Sequence, residues 1–410
     1  MRTMIVGGGI GGLSTALSLH AAGLDCVIVE SARTLRPLGV GINMQPHAVR
    51  ELTELGLGPV LAELGVETSF MTVADRHGNI IMALPRGRSA GYRWPQYSVH
   101  RGELQMALLA AVEERVGPVR TGVAFEDFTQ DGDGVLVTLR QGGRGIRERV
   151  DVLVGADGVQ SAVRARLWPS GDPLRWGGIR MWRGVAESDQ VLDGATVLAA
   201  GSNSGAKFIS YHLSARNPRL LNWVAEVKVA EPGIVPEADW SREGTHADVS
   251  RHFASWKYPL VDIPALLGAT KRILEYPMVD RDPLPRWSEG RVTLLGDAAH
   301  PMYPIGSNGG SQAVLDARFL ARCLATYDDP GAALAAYEAE RRPPTSALVL
   351  ASRSLPLERT IALVAERAPG GFGHIGEVLT AEEVAAMEAA QRTISDADVR
   401  SLNERESWSV

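Results

Sequence analysis

The residues best placed to do chemistry are Gly7-Gly8-Gly9-Ile10-Gly11-Gly12, followed by Glu30. The spacing is G-x-G-x-x-G. Glycines let the backbone approach a pyrophosphate, the following helix N-terminus offers N–H donors, and an acid at the end of the next strand accepts from both ribose hydroxyls. That acid repels a 2′-phosphate, so the ligand is FAD or NAD rather than NADP. Gly7, Gly9, Ile10, Gly11, Gly12, Glu30 and its neighbour Ser31 are therefore cofactor candidates. The plain alternative, a glycine turn serving only helix–strand packing, does not account for the acid.

Two further clusters share this character. One is Gly155-Ala156-Asp157-Gly158 with Arg164; the other is Gly296-Asp297-Ala298-Ala299-His300-Pro301, continuing through Pro304, Gly306 and Gly309-Gly310. Pro301 and Pro304 make a rigid wall with few N–H groups, and a helix starting near Gly310 aims its positive end at that wall, where it can stabilise an anionic ring. His300 reads as a structural turn histidine bonded to backbone. Other chemistries are missing. There is no G-x-S-x-G elbow, the nine histidines contain no H-x-x-x-H pair, and only Cys26 and Cys323 occur, so no metal site and no disulfide framework is expected.

The elements that must position these residues follow from apolar periodicity. A strand at 3–6, a helix at 10–22 and a strand at 26–29 form a βαβ unit around the first motif. Strand–turn–helix patterns recur at 152–166 and from 292, with a helix from 311 to about 326. Stretches 70–97 and 172–275, rich in Trp, Tyr, Thr and Val, read as antiparallel strands of an inserted domain. Within it, alternation over 179–185 puts Met181 and Arg183 on one face and Arg180 and Trp182 on the other; over 207–213, Lys207, Ile209, Tyr211 and Leu213 share a face. Trp182 and Trp223 read as core. Thr380-Ala-Glu-Glu383 is a capping box opening a helix to about 392, with a frayed polar end after it.

The fold class is thus α/β: a Rossmann-type cofactor domain of 1–70, 98–171 and 276–350, an inserted mixed or antiparallel β-sheet substrate domain of 71–97 and 172–275, and a C-terminal helical segment 351–410. The 410 residues are 45% hydrophobic and 22% charged with net charge −6, an ordinary globular balance without a basic surface for nucleic acid or an anionic membrane. No apolar run reaches membrane-helix length, and strand-like sequence from residue 3 leaves no room for a signal peptide, so a cytoplasmic monomer or homodimer is expected.

The three glycine clusters, with Arg101-Gly-Glu-Leu-Gln105, resemble the fingerprints of the group A flavin-dependent aromatic monooxygenases over most of residues 3–350. Arg36-Pro-Leu-Gly-Val-Gly-Ile-Asn43, 95–106, Met181-Trp-Arg-Gly-Val185 and 276–285 are similar to the phenazine-carboxylate branch of that family. The resemblance implies a glutathione-reductase-like fold of the p-hydroxybenzoate-hydroxylase type. It also implies FAD as cofactor and NADH or NADPH as transient donor. O2 would be captured as a flavin C4a-hydroperoxide that hydroxylates an aromatic or heteroaromatic ring, with loss of a ring carboxylate as a variant.

By the same resemblance Asp297 binds the ribityl chain, Arg101 lies beside the cofactor, and Asp157-Gly158 serves FAD packing and nicotinamide access. Val40 and Gly41, in a mobile loop 39–42, touch the flavin. Gln105, Val123, Arg164, Gly296, Gly306 and Gly310 complete the cofactor set. Gly306-Ser-Asn-Gly309 departs from the wider family's Gly-Gln-Gly. Tyr211 and Pro304 are the catalytic candidates, and Met181, Arg183, Lys207, Ile209, Tyr211 and Ile305 the substrate candidates, although Tyr211 reads equally as a packed strand tyrosine with its hydroxyl in solvent, and for Arg183 and Lys207 a solvated face is favoured over carboxylate binding. A halogenase is excluded by the lack of any lysine before Lys207 and of a W-x-W-x-I-P segment. A flavin reductase or desaturase, or a non-catalytic flavin-binding protein, stays open.

Overall fold

The computed structural model describes residues 1–37, 39–169, 171–189, 193–235, 242–256, 258, 260–354, 356–395 and 398–410. Leu38 of the quoted 36–43 segment lies outside them, as do residues 190–192, 236–241, 257 and 259 of the expected 172–275 stretch.

Five parallel strands form the first sheet, in the order Val292–Leu294, Val152–Gly155, Arg2–Val6, Asp25–Glu30, Arg120–Thr121. The three central strands are continuous apolar runs, and Met4, Ile5, Val152, Leu153, Val154, Val292 and Leu294 are fully buried, as a sheet covered on both faces requires. Their register matters most. Val6 pairs with Gly155 and Gly155 with Leu294, so the three strands end level and the three glycine clusters emerge side by side at their carboxyl ends. In an open α/β sheet that edge is where ligands bind. Two helices, Ile10–Ala21 and Gly309–Thr326, leave from this edge and pack on one another through Gly11 against Leu295 and Ala313.

The second sheet runs Gly233–Val235, Leu174–Glu187, Leu220–Lys228, Ala206–His212, Thr196–Gly201, Phe70–Ala74, Ile80–Pro85, with Leu274–Asp280 also pairing Leu174–Glu187. It is mixed: most neighbours are antiparallel, but Thr196–Gly201 and Phe70–Ala74, brought together from distant parts of the chain, pair in parallel. The expected boundary at 276 falls inside the strand Leu274–Asp280. One face of this sheet buries Trp182, Phe208, Trp223 and Ala225 beneath the helices His246–Phe253 and Ile263–Ala269, which strand-like composition did not announce. Both tryptophans are core, each indole N–H donating to a buried acceptor, Glu275 and Thr270.

Two smaller sheets went unanticipated: a meander of Val123–Asp131, Gly134–Gln141 and Arg144–Val150, and the trio Gly41–Met44, Gln96–His100, Val66–Thr68. The capping box of the helix Ala381–Ser395 is present in both directions between Thr380 and Glu383. The frayed end, however, is corrected. Residues 398–409 strap across the helices Pro46–Glu54 and Gly309–Thr326. Arg50 donates to the carbonyls of Leu402 and Arg405 at 2.8 and 2.7 Å, Arg405 pairs with buried Glu51, and Trp408 packs edge-on to Phe319. A polar tail stays bound here because its charges meet buried opposite charges.

Candidate active site

At the first turn, Gly7 has φ +112°, and a Cβ on Gly12 would sit 2.0 Å from the Gly7 carbonyl oxygen, so both glycines are required by the protein itself. Gly9 differs. It caps the helix Ile10–Ala21 in an extended conformation, and a Cβ there would meet nothing within 4 Å. The helix has no side-chain cap and no acid in its first turn. Its free N–H groups therefore face open space of the kind an anion fills. The Glu30 carboxylate is aimed at this turn by N–H donations from Gly8 at 2.8 Å and Ala32 at 2.7 Å, with the Ser31 hydroxyl at 3.2 Å. Gln105 donates to the Gly8 carbonyl at 2.8 Å, and exposed Arg101 sends its backbone N–H to Val40 at 2.9 Å. Val123 is buried in the core at the head of its strand.

The second and third clusters are tied together by Arg164. Its guanidinium is buried and donates to the carbonyls of Ala298 and Ala299 at 2.9 and 2.8 Å while pairing with Asp172. These bonds make it a brace between the two turns. Asp157 accepts from Ser161 and from the backbone N–H groups of Ala162 and Val163, capping the helix Ala162–Leu167; burial raises its pKa against those bonds. Gly158 takes φ +77° beside it.

His300 is not bonded to backbone, as expected, but to a carboxylate: its Nε2 lies 2.6 Å from Asp316 Oδ2. Arg341 holds the other oxygen at 2.8 Å and the Gly296 N–H donates at 3.1 Å. Burial opposes the charge on Asp316, and His300 and Arg341 outweigh it, keeping the carboxyl below its ordinary value. Asp297, by contrast, is exposed and makes no hydrogen bond within the described residues; it faces the start of the helix Gly309–Thr326 at Gly309. That helix also lacks a side-chain cap and an acid in its first turn. Gly296 and Gly306 take φ +58° and +74°, and Gly310 lies against Ile42.

The second sheet turns its other face to this edge. Ile179 and Met278 pack against Tyr303 and Ile305, so the Pro304 turn does abut the sheet, with Pro304 itself exposed. Met181, Arg183, Ile209 and Tyr211 lie on this face, joined through strand register by Val224 and Asn222. Tyr211 is 3% exposed, which removes the alternative of a hydroxyl in solvent. Burial raises its pKa, opposed by the charge of Arg183 and a hydrogen bond with it, so the phenol is neutral near pH 7.

The solvated readings of Arg183 and Lys207 are also corrected. Arg183 is half-buried and donates to the Gly41 carbonyl at 2.7 Å. Lys207 is buried and pairs with Glu358 at 2.6 Å; burial works against the ammonium, but Glu358 and Glu226 hold its pKa above the ordinary value. The Asn222 side chain accepts the Gly41 N–H at 2.7 Å. Asn222, Asp316, Arg341 and Glu358 escaped the sequence reading. Asn222 alone left a local trace, one amide inside the apolar run Leu220-Leu-Asn-Trp-Val-Ala225.

No group of three or more His, Cys, Asp or Glu among the described residues is placed to hold a metal ion, and none of the described helices is long and apolar enough to cross a membrane. A family model described as "FAD binding domain" matches residues 1–352. Among curated relatives, the phenazine 1,6-dicarboxylic acid hydroxylase PhzS of Lysobacter antibioticus is 49% identical, covering 88% of this chain and 91% of its own. Aurachin C monooxygenase/isomerase of Stigmatella aurantiaca is 35% identical over 83% and 85%. Among solved structures, Klebsiella pneumoniae HpxO complexed with FAD and uric acid superposes with a TM-score of 0.77 at 26% identity, covering 96% and 97% of the two chains. With three fingerprints level at one sheet edge and these likenesses over nearly the whole chain, the protein belongs to the FAD binding domain family and is a flavin-dependent aromatic monooxygenase.

Proposed function

We propose that this monooxygenase hydroxylates a flat, fused-ring nitrogen heteroaromatic carboxylic acid of the phenazine-carboxylate class, with loss of the carboxylate when oxygen enters at the carbon bearing it. The observation that carries the substrate class is the 49% identity, over 370 residues, to a hydroxylase named for a phenazine dicarboxylic acid. The sheet face is compatible with such a ring: Met181, Ile209, Val224 and Ile305 are apolar, Tyr211, Arg183 and Asn222 supply polar groups at one end, and Lys207 and Glu226 supply them at the other.

FAD, when bound, takes two electrons from NADH or NADPH and activates O2 for transfer to the ring. The chain's own residues do the rest. Gly7, Gly9, Gly11 and Gly12 with the helix N-terminus would hold the pyrophosphate, Glu30 the ribose hydroxyls, and the free carboxylate of Asp297 a ribityl hydroxyl; the open space at Gly9 and the unpartnered state of Asp297 fit that use. Pro304 and Ile305 wall the ring and keep water off it, and neutral Tyr211 orients it by one hydrogen bond. Cys26 and Cys323 are both free thiols, which suits the reducing cytoplasm, and a monomer or homodimer without nucleic-acid or membrane partners completes the proposal.

The test is a panel of aromatic and heteroaromatic carboxylates assayed for stimulated NAD(P)H oxidation, with mass spectrometry of products formed under labelled oxygen. Phenazine carboxylates should stimulate oxidation and gain one labelled oxygen. Stimulation by single-ring phenols alone would overturn the substrate class, and NAD(P)H oxidation without label in any product would overturn hydroxylation.

A further inference from the structure

The strand Gly41–Met44 is an edge strand, paired on one side only, with Gln96–His100. Its outer edge, where backbone groups would otherwise lack partners, is not covered by another strand. At Gly41 both peptide groups are taken by side chains of the substrate sheet: the N–H donates to Asn222 Oδ1 and the carbonyl accepts from Arg183 Nη2, each at 2.7 Å. Tyr211 closes the third side, since a Cβ on Gly41 would lie 2.7 Å from its hydroxyl. The same short strand leans the other way on the third fingerprint. Ile42 packs at Gly310, and Gln45 just beyond it donates to the Gly306 carbonyl at 3.0 Å.

Asn222 is fully buried, and its Nδ2 has no hydrogen-bond partner. The amide cannot be turned over to find one, because that would set its NH2 against the Gly41 N–H. The acceptor end is the one the fold engages, on the Gly41 N–H.

We propose that Asn222 is a positioning residue of the hydroxylation: with Arg183 it locks the loop 39–42 to the substrate sheet, so that the loop beside the cofactor and the strands beneath the substrate move as one body. Tyr211 pairs with Asn222 across adjacent strands, so a ring displaced on the sheet face is sensed one residue from the lock. The inference uses the acceptor of Asn222 and not its NH2. Asn222→Asp keeps the acceptor, whereas Asn222→Ala removes it.

The experiment measures hydrogen exchange at the Gly41 amide, with and without FAD, alongside the ratio of H2O2 to hydroxylated product and FAD affinity from flavin fluorescence. In Asn222→Ala, Gly41 should exchange about five- to tenfold faster even without FAD, the expected effect of losing one buried hydrogen bond. H2O2 should rise at the expense of product while FAD affinity stays within about threefold of wild type. Asn222→Asp should restore both exchange and coupling. Unchanged exchange in Asn222→Ala, or equal uncoupling in the Ala and Asp variants, would overturn the proposal. Should Asn222→Ala not fold, Arg183→Met removes the carbonyl half of the lock: faster exchange at the 41–42 peptide supports the inference, and unchanged exchange refutes it.

Discussion

Gly9→Ala should separate cofactor binding from folding. At Gly9 the backbone is extended, with φ −79° and ψ −179°, a conformation open to alanine, and the added methyl meets no atom within 4 Å. The apo protein should therefore keep its stability to within about 0.5 kcal/mol, as surface substitutions generally do. The methyl instead enters the space in front of the helix N-terminus. Displacing a phosphate from even one of those N–H donors forfeits a charge-assisted hydrogen bond of about 1.5 to 3 kcal/mol, or roughly a ten- to hundredfold loss of FAD affinity. Gly12→Ala is the matched control. Its methyl would lie 2.0 Å from the Gly7 carbonyl oxygen, so it should destabilise the apo protein itself, by about 1 to 3 kcal/mol or more. Thermal unfolding of FAD-free protein gives the first quantity and titration of flavin fluorescence the second. Wild-type FAD affinity in Gly9→Ala, or an apo protein as unstable as Gly12→Ala, would refute the idea that the empty space at Gly9 is the phosphate seat.

Asp297→Ala should weaken FAD binding roughly ten- to hundredfold without lowering apo stability, because its carboxylate has no protein partner to lose; the same two titrations check it. Tyr211→Phe should retain FAD but release more H2O2 per NAD(P)H at saturating substrate, with hydroxylation slowed about 10- to 1000-fold, and an unchanged ratio would return Tyr211 to packing. Lys207→Met should destabilise by about 3 to 5 kcal/mol by leaving Glu358 and Glu226 buried without their cation, and denaturant unfolding should show Lys207→Met with Glu358→Gln regaining part of it. Asp316 has a lowered folded-state pKa, so its contribution is present above roughly pH 4 and lost as pH falls through its folded value. The stability gap between wild type and Asp316→Asn should accordingly shrink in acid, and a gap constant with pH would show that charge is not what Asp316 contributes.

What could be read from sequence was whatever the chain settles locally. The glycine turns, Glu30 at a strand end, the face shared by Ile209 and Tyr211 and the Thr380–Glu383 box each depend on neighbours within a few residues or on a period of two. Contacts between remote segments left no such mark. Lys207 reads as solvated until Glu358 arrives on a helix 151 residues later, and Arg183 until Gly41 is laid against it from 142 residues earlier. His300 sits in a turn whose backbone looks sufficient, and only the fold shows Asp316 beneath it. The meander 123–150 was passed over because its charged alternation, as in Arg144–Val150, gives one apolar face too sparse to stand out.

The strap of residues 398–409 also sets an order of events for a chain made from its N-terminus. Arg50 and Arg405 are separated by 355 residues, and until the latter emerges the former is a cation in a folding core with no carbonyl to meet. The strap joins the helices Pro46–Glu54 and Gly309–Thr326, the second of which opens at the third fingerprint, so this clamp is added only once residues 398–409 have been made. Closing so long a loop is slow relative to local helix formation. On a nascent chain these clamps on Arg50, Glu51 and Phe319 are therefore the last contacts of the two helices to form.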